Sequence, residues 1–281
     1  MAHLESEETT DGIRKVRILR YRNGSYNYLE DSIAAEEPLE ILVAYGWHAP
    51  FKATTLTMRT MGNDYNLAVG FLFSEGFIFS KEDLLEFHKE GQHRIFFRLV
   101  EERAKEIKSK NQFSNSACGV CSNQELKDLN LEDLSPLPKT RRFRNLPFEK
   151  IIHAMLKEQS IFSTTGGIHC SALVDDQGDI LYQAEDIGRH NTVDKLVGQC
   201  LEKKYAPQDC FLLVSGRCGF EIIQKVAKAK ISVVLSIGAP SSLAVELADW
   251  MNICIVGFLK KNQHNIYTHP FRVLETPLSK K

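Results

Sequence analysis

Residues 210–258 read CFLLVSGRCGFEIIQKVAKAKISVVLSIGAPSSLAVELADWMNICIVGF. Three apolar runs, Phe211–Val214, Ile231–Ser236 and Ile253–Phe258, alternate with two segments of helical pattern, Phe220–Lys228 and Ser242–Trp250. Short connections between strands and intervening helices imply parallel strands joined by right-handed crossovers, with helices packed on the sheet. Each strand ends in a loop of small or polar residues: Ser215-Gly216-Arg217-Cys218-Gly219, Gly238-Ala239-Pro240-Ser241-Ser242 and Lys260-Lys261-Asn262-Gln263. In such sheets the loops line one edge and ligands lie in the crevice they form. Two of these loops feed helix N-termini, whose free N–H groups favour anions.

Upstream, Phe148–Ser160 reads as an amphipathic helix with Ile151, Ile152, Met155 and Leu156 inward. Thr164-Thr165-Gly166-Gly167 follows, then two strands, Ile168–Val174 and Asp179–Gln183, joined by an Asp175-Asp176-Gln177-Gly178 turn. Asn191 suits an N-cap, with Asp194 three residues on, and the helix behind it turns Val193, Leu196, Val197, Cys200 and Leu201 to one side. The first half is α+β. Ile13–Arg20, Pro38–Tyr45, Thr54–Arg59 and His93–Val100 read as strands. A helix opening near Met61-Gly62-Asn63-Asp64 carries Leu67, Ala68, Phe71 and Leu72 and ends near Gly76. Prolines 136 and 138 and a basic cluster, Arg141, Arg142 and Arg144, mark residues 122–146 as a linker. The chain therefore divides into domains 1–140 and 141–281, α/β overall.

At 281 residues, with 43% hydrophobic and 25% charged, the composition is that of a globular chain with a substantial core. A net charge of −1 excludes a broad nucleic-acid-binding face while leaving room for a local basic pocket. No apolar run is long enough to span a bilayer, and the opening MAHLESEETTDG is too acidic for a secretory signal, so we expect no membrane association. Seven cysteines without a regular framework point to a reducing compartment, hence the cytoplasm.

Ser116-Ala117-Cys118-Gly119-Val120-Cys121-Ser122 is the segment expected to carry covalent chemistry. Two thiols three positions apart can share a metal, form a disulfide or pass a sulfur atom between them. Glu101–Ser116 is polar without strand alternation, which predicts a long exposed loop. Lys105, Lys108 and Lys110 just upstream favour thiolate. Ser215-Gly216-Arg217 and Gly188-Arg189-His190-Asn191 each place a glycine and an arginine at the mouth of a helix, a combination suited to a phosphorylated ligand. Neither matches a P-loop or a dinucleotide fingerprint. His88-Lys89-Glu90 followed by the cysteine pair gives a second reading, a zinc-dependent nucleobase or nucleoside deaminase, although Ala117 stands where that motif has proline.

Taken together, several collinear segments resemble the formate dehydrogenase accessory sulfurtransferase (FdhD) family from about residue 36 to residue 270. They are EPLEILV at 37–43, MRTMGNDYNLAVGFLFSEGFI at 58–78, SACGVCS at 116–122, TTGGIHCSALV at 164–174, EDIGRHNTVDKLVG at 185–198, VSGR at 214–217, APSSLAVELA at 239–248, and VGF at 256–258 with Tyr267. The resemblance implies a sulfur carrier. A cysteine desulfurase loads persulfide sulfur on the pair, and the protein passes it to the molybdenum of bis-molybdopterin guanine dinucleotide destined for formate dehydrogenase. It also implies a dimer and a three-layer α/β/α, cytidine-deaminase-like second domain with a mixed sheet. The persulfide position maps to Cys118 with Cys121 as partner. The molybdenum-cofactor segment maps to Phe258, Leu259, Lys260, Lys261, Asn262 and Gln263, beside Arg189, His190, Ser215, Gly216 and Arg217. Arginines are usual in that family where Lys260 and Gln263 stand, and a glutamine cannot meet phosphate as a charge. Met61 stands where proline is frequent. A third reading is a non-enzymatic chaperone that only escorts the molybdenum cofactor.

Overall fold

The computed structural model describes residues 12–108, 134–143 and 146–274. The cysteine pair, Lys110 and Arg144 lie outside the described residues, as do the side chains of Lys105 and Lys108.

The first half opens with an antiparallel ribbon, β1 (Ile13–Arg22) and β2 (Ser25–Ala34), which among the described residues pairs with no other strand. Its two-residue turn is Asn23-Gly24, both at positive φ, as a twist-compatible hairpin turn requires. Next come β3 (Glu37–Tyr45), β4 (Lys52–Arg59), α1 (Asp64–Ser74), β5 (Leu84–Glu90), β6 (Arg94–Leu99) and α2 (Glu101–Lys108). The four-stranded sheet runs β4-β3-β6-β5, with only β3 and β6 parallel. Alternate residues Leu39, Ile41, Val43, Ile95, Phe97 and Leu99 bury one face against Leu67, Ala68, Phe71 and Leu72 of α1. Each fully buried leucine or phenylalanine in that layer stabilises the fold by about 1.5–3 kcal/mol.

Residues 101–108 are helical, contrary to the loop expected there. Glu101 and Glu102 complement the first-turn dipole, and buried Arg103 donates to the Gly76 and Phe77 carbonyls just beyond α1. A polar sequence thus hides a helix anchored by one buried arginine.

The second half follows as α3 (Phe148–Lys157), α4 (Ser160–Thr165), β7 (His169–Val174), β8 (Ile180–Asp186), α5 (Arg189–Lys203), β9 (Phe211–Val214), α6 (Phe220–Lys228), β10 (Val233–Ser236), α7 (Ser242–Trp250), β11 (Cys254–Lys260) and β12 (Gln263–Ile266). Its mixed sheet runs β12-β11-β10-β9-β7-β8. The central β9, β10 and β11 are parallel, as expected, and the outer pairings are antiparallel. Leu212, Val214, Val234 and Ile255 face α5, α6 and α7. Phe211, Leu213, Val233, Leu235 and Val256 face α3 and Phe143 on the other side, which makes three layers.

Three local expectations change. Leu156, expected inward, is 50% exposed, because Ile151 and Met155 alone complete the buried stripe of α3. Asn191 is not an N-cap: α5 begins two residues earlier, capped by Gly188, and Asn191 lies in its first turn. Lys260–Gln263 is not a crevice loop but the tight turn of the β11–β12 hairpin.

Helices α1 and α5 join the two halves backbone to backbone. A Cβ on Gly70 would sit 1.9 Å from the Asp194 carbonyl oxygen, and one on Gly198 would sit 2.0 Å from that of Asn66. Only hydrogen fits at either position. Residues 134–143 run along the second half, where Leu137 N–H donates to Met251 O and Phe143 N–H to Arg272 O.

Candidate functional site

The turn from β8 into α5 is built on a buried knot of polar groups. Asp186, fully buried, pairs with Lys195 Nζ at 2.6 Å. It also accepts from Thr60 N–H (3.2 Å), Gly188 N–H (2.9 Å) and Asn191 Nδ2 (2.8 Å). Lys195 Nζ donates to the carbonyls of Thr60 and Glu185, and Asn191 Nδ2 to Met58 O at 2.8 Å. With its bonds filled, the ion pair is worth its desolvation, and it fixes β4 of the first half against the 186–191 turn. Two sequence segments 126 residues apart become one rigid support.

That turn presents Arg189 and His190 at the sheet edge where β9 ends. The register pairs His169 with Asp186 and Ser171 with Val214, so His169 stands beside the Ser215-Gly216-Arg217 loop. Ser215 Oγ accepts from Cys170 N–H at 2.9 Å, and Ser215 N–H donates back to Cys170 O. A Cβ on Gly216 would lie 3.1 Å from His169 Nδ1, a tight contact that shows how closely the imidazole stands against this loop. Gly238 N–H donates to Gly216 O (3.1 Å) and Phe258 N–H to Gly238 O (3.0 Å), tying the ends of β9, β10 and β11 together. Phe258 holds φ at +52°, at a break in the β11–β12 register, and is 42% exposed. A left-handed phenylalanine costs about 1–2 kcal/mol, a cost retained at a place where the backbone must be re-aimed.

The edge is electropositive. Among the described residues the buried Nε of Arg189 has no hydrogen-bond partner, and neither Arg189 nor Arg217 has a salt bridge. His190 is held by the Glu221 carboxylate, and its hydrogen bond keeps that carboxyl below the usual range. Burial, then Arg189, His190 and Arg217, depress His169, with Asp186 opposing. Two guanidiniums without a salt bridge among the described residues, with Glu221 acting on Arg189 only at longer range, stand above the N-termini of α5 and α6 as a cradle suited to an oxyanion.

Of the other expected contacts, Phe258 and Lys260 face solvent, whereas Leu259 is 1% exposed and belongs to the core, so its side chain touches no ligand. Lys261 is paired with Glu149 of α3, while Asn262 and Gln263 are exposed in the hairpin turn and at the start of β12. His169 went unnoticed in the sequence. Counting back from the Asp175–Gly178 turn along an antiparallel pair would have placed it opposite Asp186.

The cysteines sort by burial. Cys170, Cys200, Cys210, Cys218 and Cys254 are free and buried. Burial raises the Cys210 thiol and pushes the other four up to about 12, so all five stay protonated and unreactive. That leaves Cys118 and Cys121, outside the described residues, as the remaining two of the seven. For the deaminase reading, His88 and Glu90 lie exposed on β5, an edge strand of the first sheet, with His88 stacked on Phe96 at 4.5 Å. That surface lacks the water-excluded pocket a proton-shuttling glutamate requires. Among the described residues no three His, Cys, Asp or Glu side chains cluster to hold a metal ion.

The model of the FdhD/NarQ family matches residues 34–274. The chain belongs to this family. Among its FdhD/NarQ relatives, the sulfur carrier protein FdhD of Sulfurisphaera tokodaii is 38% identical over 93% of this chain and 99% of its own length. The sulfur carrier protein FdhD of Thermoplasma acidophilum is 36% identical over 98% of both chains. A solved structure from Desulfotalea psychrophila, described as that of a formate dehydrogenase accessory protein, superposes with a TM-score of 0.72. It covers 93% of this chain and 99% of its own at 23% identity, which shows a shared fold. Among the described residues no helix is long and apolar enough to cross a membrane.

Proposed function

We propose that this chain is a sulfur carrier that uses Cys118 or Cys121 as its persulfide. The observation that carries this reading is the sorting of thiols: five are sealed and held protonated, so an exchangeable sulfur has only the pair at 118 and 121. The name of the relatives, sulfur carrier protein FdhD, supports the same reading. A thiolate of the pair attacks the outer sulfur of a cysteine desulfurase persulfide. The S–S bond of the donor breaks, its thiolate leaves, and the new persulfide forms here. The acceptor substrate is a molybdenum-bearing bis-molybdopterin guanine dinucleotide destined for formate dehydrogenase. Its phosphates suit the sheet edge, where Arg189, Arg217 and the exposed Lys260 supply positive charge and Ser215-Gly216 supplies close backbone. The protein acts in the cytoplasm as a homodimer in this reading.

The test is direct. Cys118→Ala, Cys121→Ala and the double variant are incubated with a desulfurase and cysteine, then scored for cyanolysable sulfur, for a mass gain of one sulfur atom and for activation of formate dehydrogenase. The double variant is expected to lose all three. Full activation by the double variant would sink the carrier role and favour an escorting chaperone.

A further inference from the structure

We propose that His169, Arg189 and Arg217 form a proton-linked oxyanion site, in which His169 gains a proton as a phosphate-type dianion seats between the two guanidiniums. This rests on the reading of the sheet edge as the phosphate-binding crevice, and adds a residue and a coupling to it.

Three elements supply the geometry. His169 opens β7 with its ring against Gly216, where a Cβ would lie 3.1 Å from Nδ1. Arg189 enters from the first turn of α5, its buried Nε unpartnered among the described residues. Arg217 enters from the loop after β9 and is exposed. The acids around this centre are committed elsewhere. Asp186 of β8 is closed on Lys195, Thr60, Gly188 and Asn191. Glu221 of α6 holds His190, and Glu185 of β8 accepts from the backbone N–H groups of Ile161 and Phe162. Asp186 still favours a charged imidazole, and Glu221 acts on Arg189 from beyond salt-bridge range, but burial and the surrounding cations outweigh them at His169.

Without an anion, protonating His169 would place a third positive charge in a half-buried site, and burial together with Arg189, His190 and Arg217 opposes it. A seated dianion reverses that balance, because the imidazolium then faces two negative charges and can donate to an oxygen. By linkage the anion binds more tightly as pH falls through the range where the histidine takes its proton. The site thus grips a phosphate hardest in mildly acidic solution and relaxes as pH rises.

Sulfate is the probe, because its own charge is constant over this range. Calorimetric titration of the full chain from pH 5.5 to 7.5, repeated in buffers of different ionisation enthalpy, reads affinity and proton uptake together. The dissociation constant is expected to rise about tenfold from the acid to the alkaline end. In His169→Gln it should change less than about twofold. NMR of labelled histidines should show saturating sulfate raising the titration midpoint of His169. Sulfate binding with no proton uptake overturns the role of His169 and leaves the crevice intact. No sulfate binding at any pH overturns both. Displacement of sulfate by a nucleoside diphosphate supports a substrate-borne phosphate as occupant, and sulfate retained against it overturns that assignment.

Discussion

The turn Asp186–Asn191 has two sides that obey opposite rules. Inward, Asp186, Lys195, Asn191 and Thr60 bind one another until no polar atom is spare. Outward, three residues along the same chain, Arg189 is left with a buried nitrogen and no partner among the described residues. The difference separates polar groups already satisfied within the fold from those still open to a ligand. A saturated network fixes geometry, and its charges have nothing left to offer a ligand. An unsaturated cation carries a standing desolvation cost that only an incoming anion relieves. The knot holds still so that the cluster can remain unsatisfied.

Breaking the inner side should have the largest effect. Lys195→Met leaves Asp186 charged, buried and short of its cation, so urea unfolding should register a loss of about 3 kcal/mol or more. Adding Asp186→Asn should recover part of it, since the uncompensated charge is then gone. A single-variant loss under about 1 kcal/mol would mean that the backbone donors at Thr60 and Gly188 alone satisfy Asp186.

Next in size is the contact that clamps the halves together. Gly198→Ala inserts a methyl where the Asn66 carbonyl oxygen already stands, so α1 and α5 must separate. A loss of about 1–3 kcal/mol is expected, measured by thermal or urea unfolding. Gly219, half-buried but with open space where a Cβ would sit, is the control expected to tolerate alanine.

The outer side should behave in the contrary way. Arg217→Ala removes an exposed side chain with no salt bridge among the described residues, so stability should stay within about 0.5 kcal/mol. Sulfate affinity should fall about tenfold, because a forked guanidinium contact is lost. A variant that loses stability without losing affinity would place Arg217 with the knot instead.

Much of this division could be read in the chain before its fold. The β-α-β-α-β stretch from Phe211 to Phe258 sets local periods that nothing in the tertiary structure overrides, and the parallel core follows from it. Glycine and arginine at two strand ends pointed to Arg189 and Arg217, which the fold brings near His169. The ribbon strand β2 was missed although Asn23-Gly24 is a strong hairpin signal, because Ser25–Ala34 carries its apolar residues on a face that stays largely exposed. Helix α2 was missed because its stability comes from Arg103 reaching carbonyls of another element, which no local pattern records. The knot was invisible for the same reason: Thr60 and Asp186 meet only once two sheets have packed. Asn191 looked like a cap since capping and long-range bridging ask for the same side chain.

Acid titration extends the contrast at the smallest scale to a second saturated ion pair, Asp64 with Arg59 and Lys89, because it and the His169 cluster lose stability in separate windows. Burial alone would raise Asp64, but hydrogen bonds from Arg59 (2.9 Å) and Lys89 (3.0 Å) outweigh it and hold the carboxyl below the ordinary aspartate value of 3.8. Its contribution is therefore complete above 3.8 and disappears as pH falls through the lower native value. His169 is also depressed, but from 6.5, so the unfolded chain takes its proton first and stability declines as pH drops below 6.5. Urea midpoints followed from pH 8 to 2 should show both declines. Sulfate should abolish the upper one and leave the lower untouched. Lys89→Met, which removes the half-exposed partner of Asp64, should make only the lower decline shallower, by about 0.5–1 kcal/mol. A sulfate effect on the lower decline would mean that the anion acts on the whole charge field of the protein and not at the cluster around His169.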